Sequence, residues 1–590
     1  MNEKLLSLLH HSEFIVHNFS MKRWMIRDVD GRQAERLASA LGVSTVVAGL
    51  LASRGCGDEA AARKFLHPSL DQLLDPGLML GMAEAVERIL RAIERGEPIL
   101  VYGDYDVDGT TGTVVLRKAL RLLGARTGYH IPHRFTEGYG VKQPALEQAL
   151  ADGYGLVISV DCGIRAHEPL QWARAQGLDV IITDHHQPDA EEGSPPAFAV
   201  LNPNQRGCTY PDKNLAGVGV AFKLAHALLS ARGRESLVPG FLKMVAIGTV
   251  ADVAPLVGEN RVIVALGLAD LPQATNPGLR ALMEVAGCGD GRGLRTTDLG
   301  FRIGPRINAA GRMDAARVVV ELFEATEVAE ARRLARQLEE RNRERQIVQS
   351  QIVRLALAEF EAERDALGSS HVAVIVGDDW HRGVIGIAAS KLADRLNRPC
   401  VVISLDNEVG HGSARSIEAY HLLNGLTECA DLFEDFGGHS HAAGLAIKRE
   451  HIAEFRRRLN EHAARCLCVD DLLPSLRIDA ELEAGALTLA LAEELRLLDP
   501  YGAGNPEPVF MTRGLRILSA PRVMKERHLK LMVAGADNRP LEAVWWDGVE
   551  QSGQTLQPGM SIELAYTLEP NTWQGQTRLQ LCVKDMRKAG

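Results

Sequence analysis

A chain of 590 residues is too long for one hydrophobic core, and at roughly 100 to 200 residues per domain it should divide into about three to five. Its composition, 46% hydrophobic and 24% charged, excludes a disordered or fibrous protein. A formal net charge of −10 excludes a protein that coats nucleic acid with a basic surface, so any phosphate contact has to be local.

Residues 1–80 read as a helical, adaptor-like region in which Met21 is a second candidate start. The opening MNEKLLSLLHHSEF has a short apolar patch broken by two histidines, and no run of ~18 apolar residues follows, so neither secretion nor a membrane span is expected. The close pair Cys466 and Cys468 lacks the partner pair of a tetrahedral zinc site, so reduced thiols and a cytoplasmic protein are expected.

From Gly81, the residues Met82, Val86, Ile89, Leu90 and Ile93 recur at helical spacing until Gly-Glu-Pro stops the helix before the apolar run ILVY. The strand-like segments 155–160 and 178–183 flank the helix-like HEPLQWARAQG, a β-α-β pattern that predicts a parallel sheet. Between Gly291 and Val320, Arg292, Arg295, Arg302, Arg306, Arg312 and Arg317 face only Asp298 and Asp314, which is either a solvated face or a local phosphate contact. Arg317–Leu367 has no Gly or Pro and predicts one or two helices spanning roughly 60 to 75 Å.

A second α/β block runs from HVAVIVG (371–377) to about Cys468. Beyond Pro474, short alternating segments near 509–518, 529–534, 541–546, 561–568 and 577–583 suggest an OB-like barrel, in which Trp545, Trp546 and Trp573 could stack on bases. The fold class is therefore α/β: a first lobe at 81–320, a helical connector at 321–367, a second lobe at 368–470 and a C-terminal OB-like β-barrel at 471–590.

Each strand of the first lobe is followed by acids or imidazoles: Asp104, Asp106 and Asp108 in VYGDYDVDGTTG, Asp161 in SVDCG, and Asp184, His185 and His186 in ITDHHQP. That sheet edge is where ligands bind in open α/β folds. Asp252 lies in the apolar stretch MVAIGTVADVAP, where an unpaired carboxylate is costly. A lone Asp after a strand is most often a turn former or helix cap, but these converge. Carboxylates plus imidazole without thiolate suit Mn²⁺ or Mg²⁺, and two such ions suit phosphoester hydrolysis.

GDYDVDG, SVDCG and TDHH, in this order and followed by Asp252 in VADV, resemble the four motifs of the DHH phosphoesterase superfamily. The resemblance implies that Asp106, Asp108, Asp161, His185 and Asp252 bind metal, that Asp104 and Asp184 are ligands or hydrogen-bond to ligands, and that His186 positions water or phosphate.

GGHSHAAG (437–444), with Gly438, His439 and His441, resembles the glycine-rich signature of the DHH-associated domain. Together with Arg306, Asn308 and Arg312 in PRINAAGR, His381 and Arg382 in WHRGVIGIA, and Ser413 and Arg415 in GSARS, it resembles the RecJ family from about residue 65 onward. These ten residues are the substrate-binding candidates. What the resemblance implies is a 5′→3′ exonuclease that degrades single-stranded DNA to mononucleotides in recombinational and mismatch repair, with single-strand-binding protein and a RecQ-type helicase as partners. The alternatives are a DHH phosphodiesterase of short oligonucleotides or small molecules, and a non-catalytic scaffold of the Cdc45 kind.

Overall fold

A computed structural model describes residues 22–289, 293–313, 316–367, 370–552, 556–573 and 575–589. Arg292 and Asp314, and the side chain of Trp573, lie outside the described residues. Helix Met82–Glu94 buries one apolar face, and the chain turns at Gly96 (φ +65°) into the strand Ile99–Gly103. That strand and Leu156–Val160 are buried along their whole length, which requires cover on both faces.

The cover is present. Five parallel strands lie in the order Thr127–His130, Ile99–Gly103, Leu156–Val160, Asp179–Thr183 and Ala199–Leu201. Helices Met82–Glu94, Val107–Leu122 and Gly217–Ala231 pack on one face, and Gln143–Ala151 and His167–Ala175 on the other. The candidate acids therefore share the carboxyl edge of one sheet.

The Gly- and Pro-free stretch forms two helices, Ala316–Glu324 and Val328–Leu367. The second has 40 residues, roughly 60 Å at ~1.5 Å per residue. Its first half buries Ala331, Leu334 and Leu338 in the core of the first lobe, and its second half buries Ile352, Ala356 and Phe360 in the second. One helix thus contributes to the cores of both lobes. The second lobe is a mixed sheet in the order Phe433–Gly438, Ala442–Lys448, Val409–Arg415, Cys400–Asp406 and Ala373–Asp378.

The five expected barrel strands are Phe510–Ile517, His528–Ala534, Leu541–Trp545, Ser561–Trp573 and Gln576–Lys588. The barrel closes where Arg516 and Ile517 pair with Ala534 and Val533. Trp545 belongs to its core, whereas Trp546 is 54% exposed and so free to meet a ligand.

The N-terminal segment is not a separate body. Strand Arg23–Ile26 pairs with Ser475–Ile478, and helices Gly31–Leu41, Thr45–Ser53 and Glu59–Leu66 bury Leu37, Val47 and Leu51 in the same core as Leu491, Phe510 and Tyr566. Helices this short form stable structure only through tertiary packing. Arg261, buried in the first lobe, joins this assembly by donating to the carbonyls of Phe65 (2.8 Å), Leu498 (2.9 Å) and Asp499 (2.7 Å). Among the described residues, no single helix is long and apolar enough to cross a membrane.

Candidate metal centre

The first motif leaves the strand Ile99–Gly103 and enters helix Val107–Leu122. Asp106 caps that helix, its Oδ1 accepting the N–H of Gly109 at 3.0 Å, so the ordinary capping role is present as well. Asp108 points the other way and accepts the N–H groups of Gly217 (2.6 Å) and Val218 (2.8 Å) at the start of helix Gly217–Ala231, a favourable end for a carboxylate. Asp161 follows Leu156–Val160 with φ +63°, uncommon for a residue other than glycine. Gly217 makes room for it, since a Cβ there would stand 2.5 Å from Asp161 Oδ1.

The third motif follows Asp179–Thr183. Both oxygens of Asp184 are engaged: Oδ1 accepts the N–H of His185 (2.8 Å) and of His186 (3.1 Å) and faces His186 Nδ1 (2.8 Å), and Oδ2 accepts the N–H of Ile164 (2.9 Å). Asp184 thereby orients His186. His185 projects into the acids, its Nε2 lying 3.3 Å from Asp161 Oδ1, 3.8 Å from Asp252 Oδ2 and 3.9 Å from Asp108 Oδ2. Asp252 stands at the end of helix Leu242–Ala251.

Burial sets the electrostatics of this cluster. It pushes Asp104 and Asp161 well above the usual carboxylate range, reinforced by Asp106 beside Asp104 and by Asp108 beside Asp161. Burial and then the neighbouring acids push Asp108 up to about 7 and Asp252 up to about 9. Burial, with His186 beside it, lowers His185 to about 4, which keeps its imidazole neutral and its lone pair available. At Asp184 burial raises the pKa, but the hydrogen bonds from His186 and from Ile164 outweigh it and leave the carboxyl below its ordinary value.

These residues fit divalent cations. Asp104 Oδ1, Asp161 Oδ1 and His185 Nε2 are buried without a hydrogen-bond partner, a state that costs free energy unless a cation takes the lone pairs. Ligand atoms of Asp108, His185 and Asp252 lie within 4.8 Å of one another, as do those of Asp104, Asp106 and Asp161, and those of Asp161, His185 and His186. Asp161 stands in two of these groups, the arrangement that two adjacent ions need. The nearby thiol of Cys162 is pushed up by burial and stays protonated, leaving a hard oxygen and imidazole set.

A metal-stability test follows. Asp252→Asn should stabilise the metal-free protein near neutral pH by about 1–2 kcal/mol, because a carboxyl pushed up to about 9 must take up a proton on folding and the amide need not. It should also shrink the rise in Tm on adding Mn²⁺. A lower metal-free Tm with an undiminished Mn²⁺ response would mean that Asp252 is a packing residue.

Of the other candidates, Asn308 accepts the N–H of Val107 (3.3 Å) and so holds the first motif, and Arg312 donates to the carbonyl of Gly383 (2.9 Å) in the second lobe. Arg306 is bound to Glu339 (2.6 Å) and to the carbonyl of Arg302, which turns it into the connector instead of the cleft. Arg302 and Arg295 likewise meet Asp298 (2.9 Å) and Glu569 (3.9 Å).

In the second lobe, His381 caps helix Arg382–Leu396 by accepting the N–H of Gly383 (3.1 Å), and its ring lies 6.0 Å from Phe135 of the first lobe. Arg415 donates to the carbonyl of Ala414 (2.7 Å) beside Ser413 Oγ (3.3 Å). Gly438, at φ +152°, forms the turn that brings His439 and His441 beside it, since Ala442 pairs with Arg415 across the sheet.

Three groups of residues were not singled out from the sequence. Tyr139 donates to the Asp161 carbonyl (3.1 Å) and stands 3.2 Å from His186 Nδ1. Asn202 and Asn204 donate to the carbonyls of His186 (2.9 Å) and His185 (2.7 Å). Arg134 acts electrostatically on Asp104, Arg312 and Arg415. A signal existed for the asparagines, which follow a further strand of the same sheet at its carboxyl edge.

The fold and this site define a DHH protein, with a carboxylate–imidazole metal centre facing a DHH-associated lobe. Residues 98–249 match the DHH family N-terminal domain, 368–465 the DHHA1 domain and 478–585 the RecJ OB domain. The chain is 38% identical to the single-stranded-DNA-specific exonuclease RecJ of Bacillus subtilis over 571 residues, covering 96% of this chain and 71% of that one. It is also similar to the crystal structure of RecJ from Thermus thermophilus in complex with Mn²⁺, with a TM-score of 0.82, 31% identity and coverage of 96% and 80% of the two chains. The Mg²⁺ complex of that protein matches with a TM-score of 0.77 and 30% identity, covering 96% and 79%. The chain belongs to the RecJ family.

Proposed function

We propose that this chain is a Mn²⁺- or Mg²⁺-dependent exonuclease that hydrolyses single-stranded DNA from the 5′ end to 5′-mononucleotides. The observation that carries the reading is an arginine cluster at the junction of the two lobes, beside the metal centre. Arg134, Arg312 and Arg415 act on one another electrostatically and Arg345 acts on Arg312; among the described residues none of the four forms a close ion pair with a carboxylate, Asp104 and Asp106 acting on Arg134 and Arg312 only at longer range. Arg345 is only 9% exposed, and its Nε has no hydrogen-bond partner. Uncompensated guanidinium groups in a cleft suit phosphate.

A groove of about 700 Å³ runs from Val253, next to Asp252, past Phe301 to Tyr501 and Pro570 of the C-terminal domain. Phe301 is 79% exposed there and offers a face on which bases stack. Arg415 and Ser413 belong to the second lobe and do not line that groove. In this reading a 5′-terminal phosphate sits on this pair and the strand runs along the groove. When bound, the divalent ions supply Lewis-acid polarisation of the phosphodiester and neutralise its charge. His186, whose pKa is lowered by burial but raised further by Asp184, keeps Nδ1 toward that acid and leaves Nε2 to donate to a phosphate oxygen. Roles in recombinational and mismatch repair, and partnership with single-strand-binding protein and a RecQ-type helicase, rest on family membership.

Labelled single-stranded DNA, duplex DNA and RNA tested with Mn²⁺ should yield mononucleotides from the single-stranded DNA alone; equal digestion of RNA would overturn the substrate class. Arg415→Ala should weaken use of a 5′-phosphorylated strand about tenfold, the loss of one charge-assisted contact, and a 5′-hydroxyl strand far less. Equal loss on both would make Arg415 a general backbone contact.

A further inference from the structure

A second cavity, of about 450 Å³, lies against the first motif and shares no lining residue with the groove to the barrel. Its wall toward the metals includes Tyr105, the residue between Asp104 and Asp106. Its lining also includes Tyr129, Arg317, Gln337 and Arg341, the last two from the connector helix. The size falls within the ~300–1,000 Å³ of small-ligand pockets.

Among the described residues Arg134, Arg317 and Arg341 line the cavity against the single acid Glu137, and Arg341 is paired with Glu344 (2.9 Å). Arg134 lies over the Tyr105 ring at 4.7 Å and Arg317 over the Tyr129 ring at 5.7 Å, and among the described residues neither forms a close ion pair with a carboxylate, Arg134 acting on Asp104 only at longer range. The acid in its wall, Glu137, is neutralised locally by His130 Nε2 (2.8 Å) and the N–H of His133 (2.7 Å). Guanidinium groups interleaved with aromatic rings suit a ligand with both a phosphate and a planar base.

We infer that this cavity binds the released nucleoside 5′-monophosphate, an inference that rests on the exonuclease reading above. A strand lying in the groove from the barrel blocks the way its terminal nucleotide came in. The product therefore needs a second path, and the cationic cavity behind Tyr105 adjoins the place where it is released. Occupancy there makes the product an inhibitor.

The test uses the full chain in chelator, so that no metal competes for phosphate, with deoxyadenosine monophosphate, deoxyadenosine and inorganic phosphate as probes in equilibrium dialysis. The monophosphate is expected to bind more tightly than either fragment, and Arg317→Ala, an exposed position outside the cleavage machinery, to weaken it about tenfold, with Arg317→Lys partly restoring it. With Mn²⁺, the same alanine variant should raise the inhibition constant of the monophosphate while kcat/KM for the strand stays unchanged. Binding unaffected by Arg317→Ala, no binding without metal, or phosphate binding as tightly as the nucleotide would each overturn the inference. Because the dialysis does not depend on turnover, a chain without nuclease activity would refute the exonuclease reading while this binding is still scored.

Discussion

Asp161→Ala is expected to lower strand hydrolysis by roughly a thousandfold or more, because it removes the one acid that stands in two of the ligand groups. The fold should survive. Burial, and then Asp108, Asp106, Asp104 and Asp252, hold Asp161 well above the usual carboxylate range, so its loss removes a cost of folding in the metal-free protein. Binding of DNA should survive as well, since Arg312 and Arg415 lie elsewhere in the cleft. Rates in excess Mn²⁺, with circular dichroism as a control for folding, decide the matter. Retention of more than about a tenth of the parent rate would remove Asp161 from the metal centre.

The second large effect concerns the C-terminal region. Deleting 475–590 alone should give an insoluble or dye-binding protein, because it uncovers Leu37, Val47, Leu50, Leu51 and Leu66. Each such side chain is worth about 1.5–3 kcal/mol when fully buried. Deleting residues 1–67 together with 475–590 removes both sides of that core and should leave the two lobes folded and able to cleave short strands. Capture of long strands should weaken, and two or three lost phosphate contacts should lower the slope of log affinity against log salt by roughly 1.4 to 2.1. A well-folded single deletion would contradict the shared core, and an unchanged salt slope in the double deletion would mean that the barrel does not grip DNA.

The first-lobe strands were legible because buried parallel strands are continuous apolar runs, and the acids were legible because each follows such a run. The barrel was legible through alternation, with Phe510–Ile517 and Leu541–Trp545 close to the segments picked out. The pairing of Arg23–Ile26 with Ser475–Ile478 was not, because its partners lie about 450 residues apart and neither segment carries a local signal of the other.

The site divides in the same way. Asp161 and His185 announce themselves by type and position, whereas the direction of an arginine depends on tertiary partners. Arg306 and Arg312 sit six residues apart on one short helix, yet one meets Glu339 and the other turns to the second lobe. Arg134 lies in a loop whose role emerges only when the lobes meet, and the sequence leaves Asp184 as either a ligand or a hydrogen-bonding partner of ligands, whereas in the fold both its oxygens are engaged.

The most direct measurement is digestion of one single-stranded oligonucleotide carrying a label at either its 5′ or its 3′ end, with and without Mn²⁺. With Mn²⁺, the 5′ label should appear at once as a mononucleotide while the 3′ label persists in a ladder of shortening strands, and chelator should stop both. Immediate release of the 3′ label, or cleavage undiminished by chelator, would contradict a metal-dependent exonuclease that starts from the 5′ end.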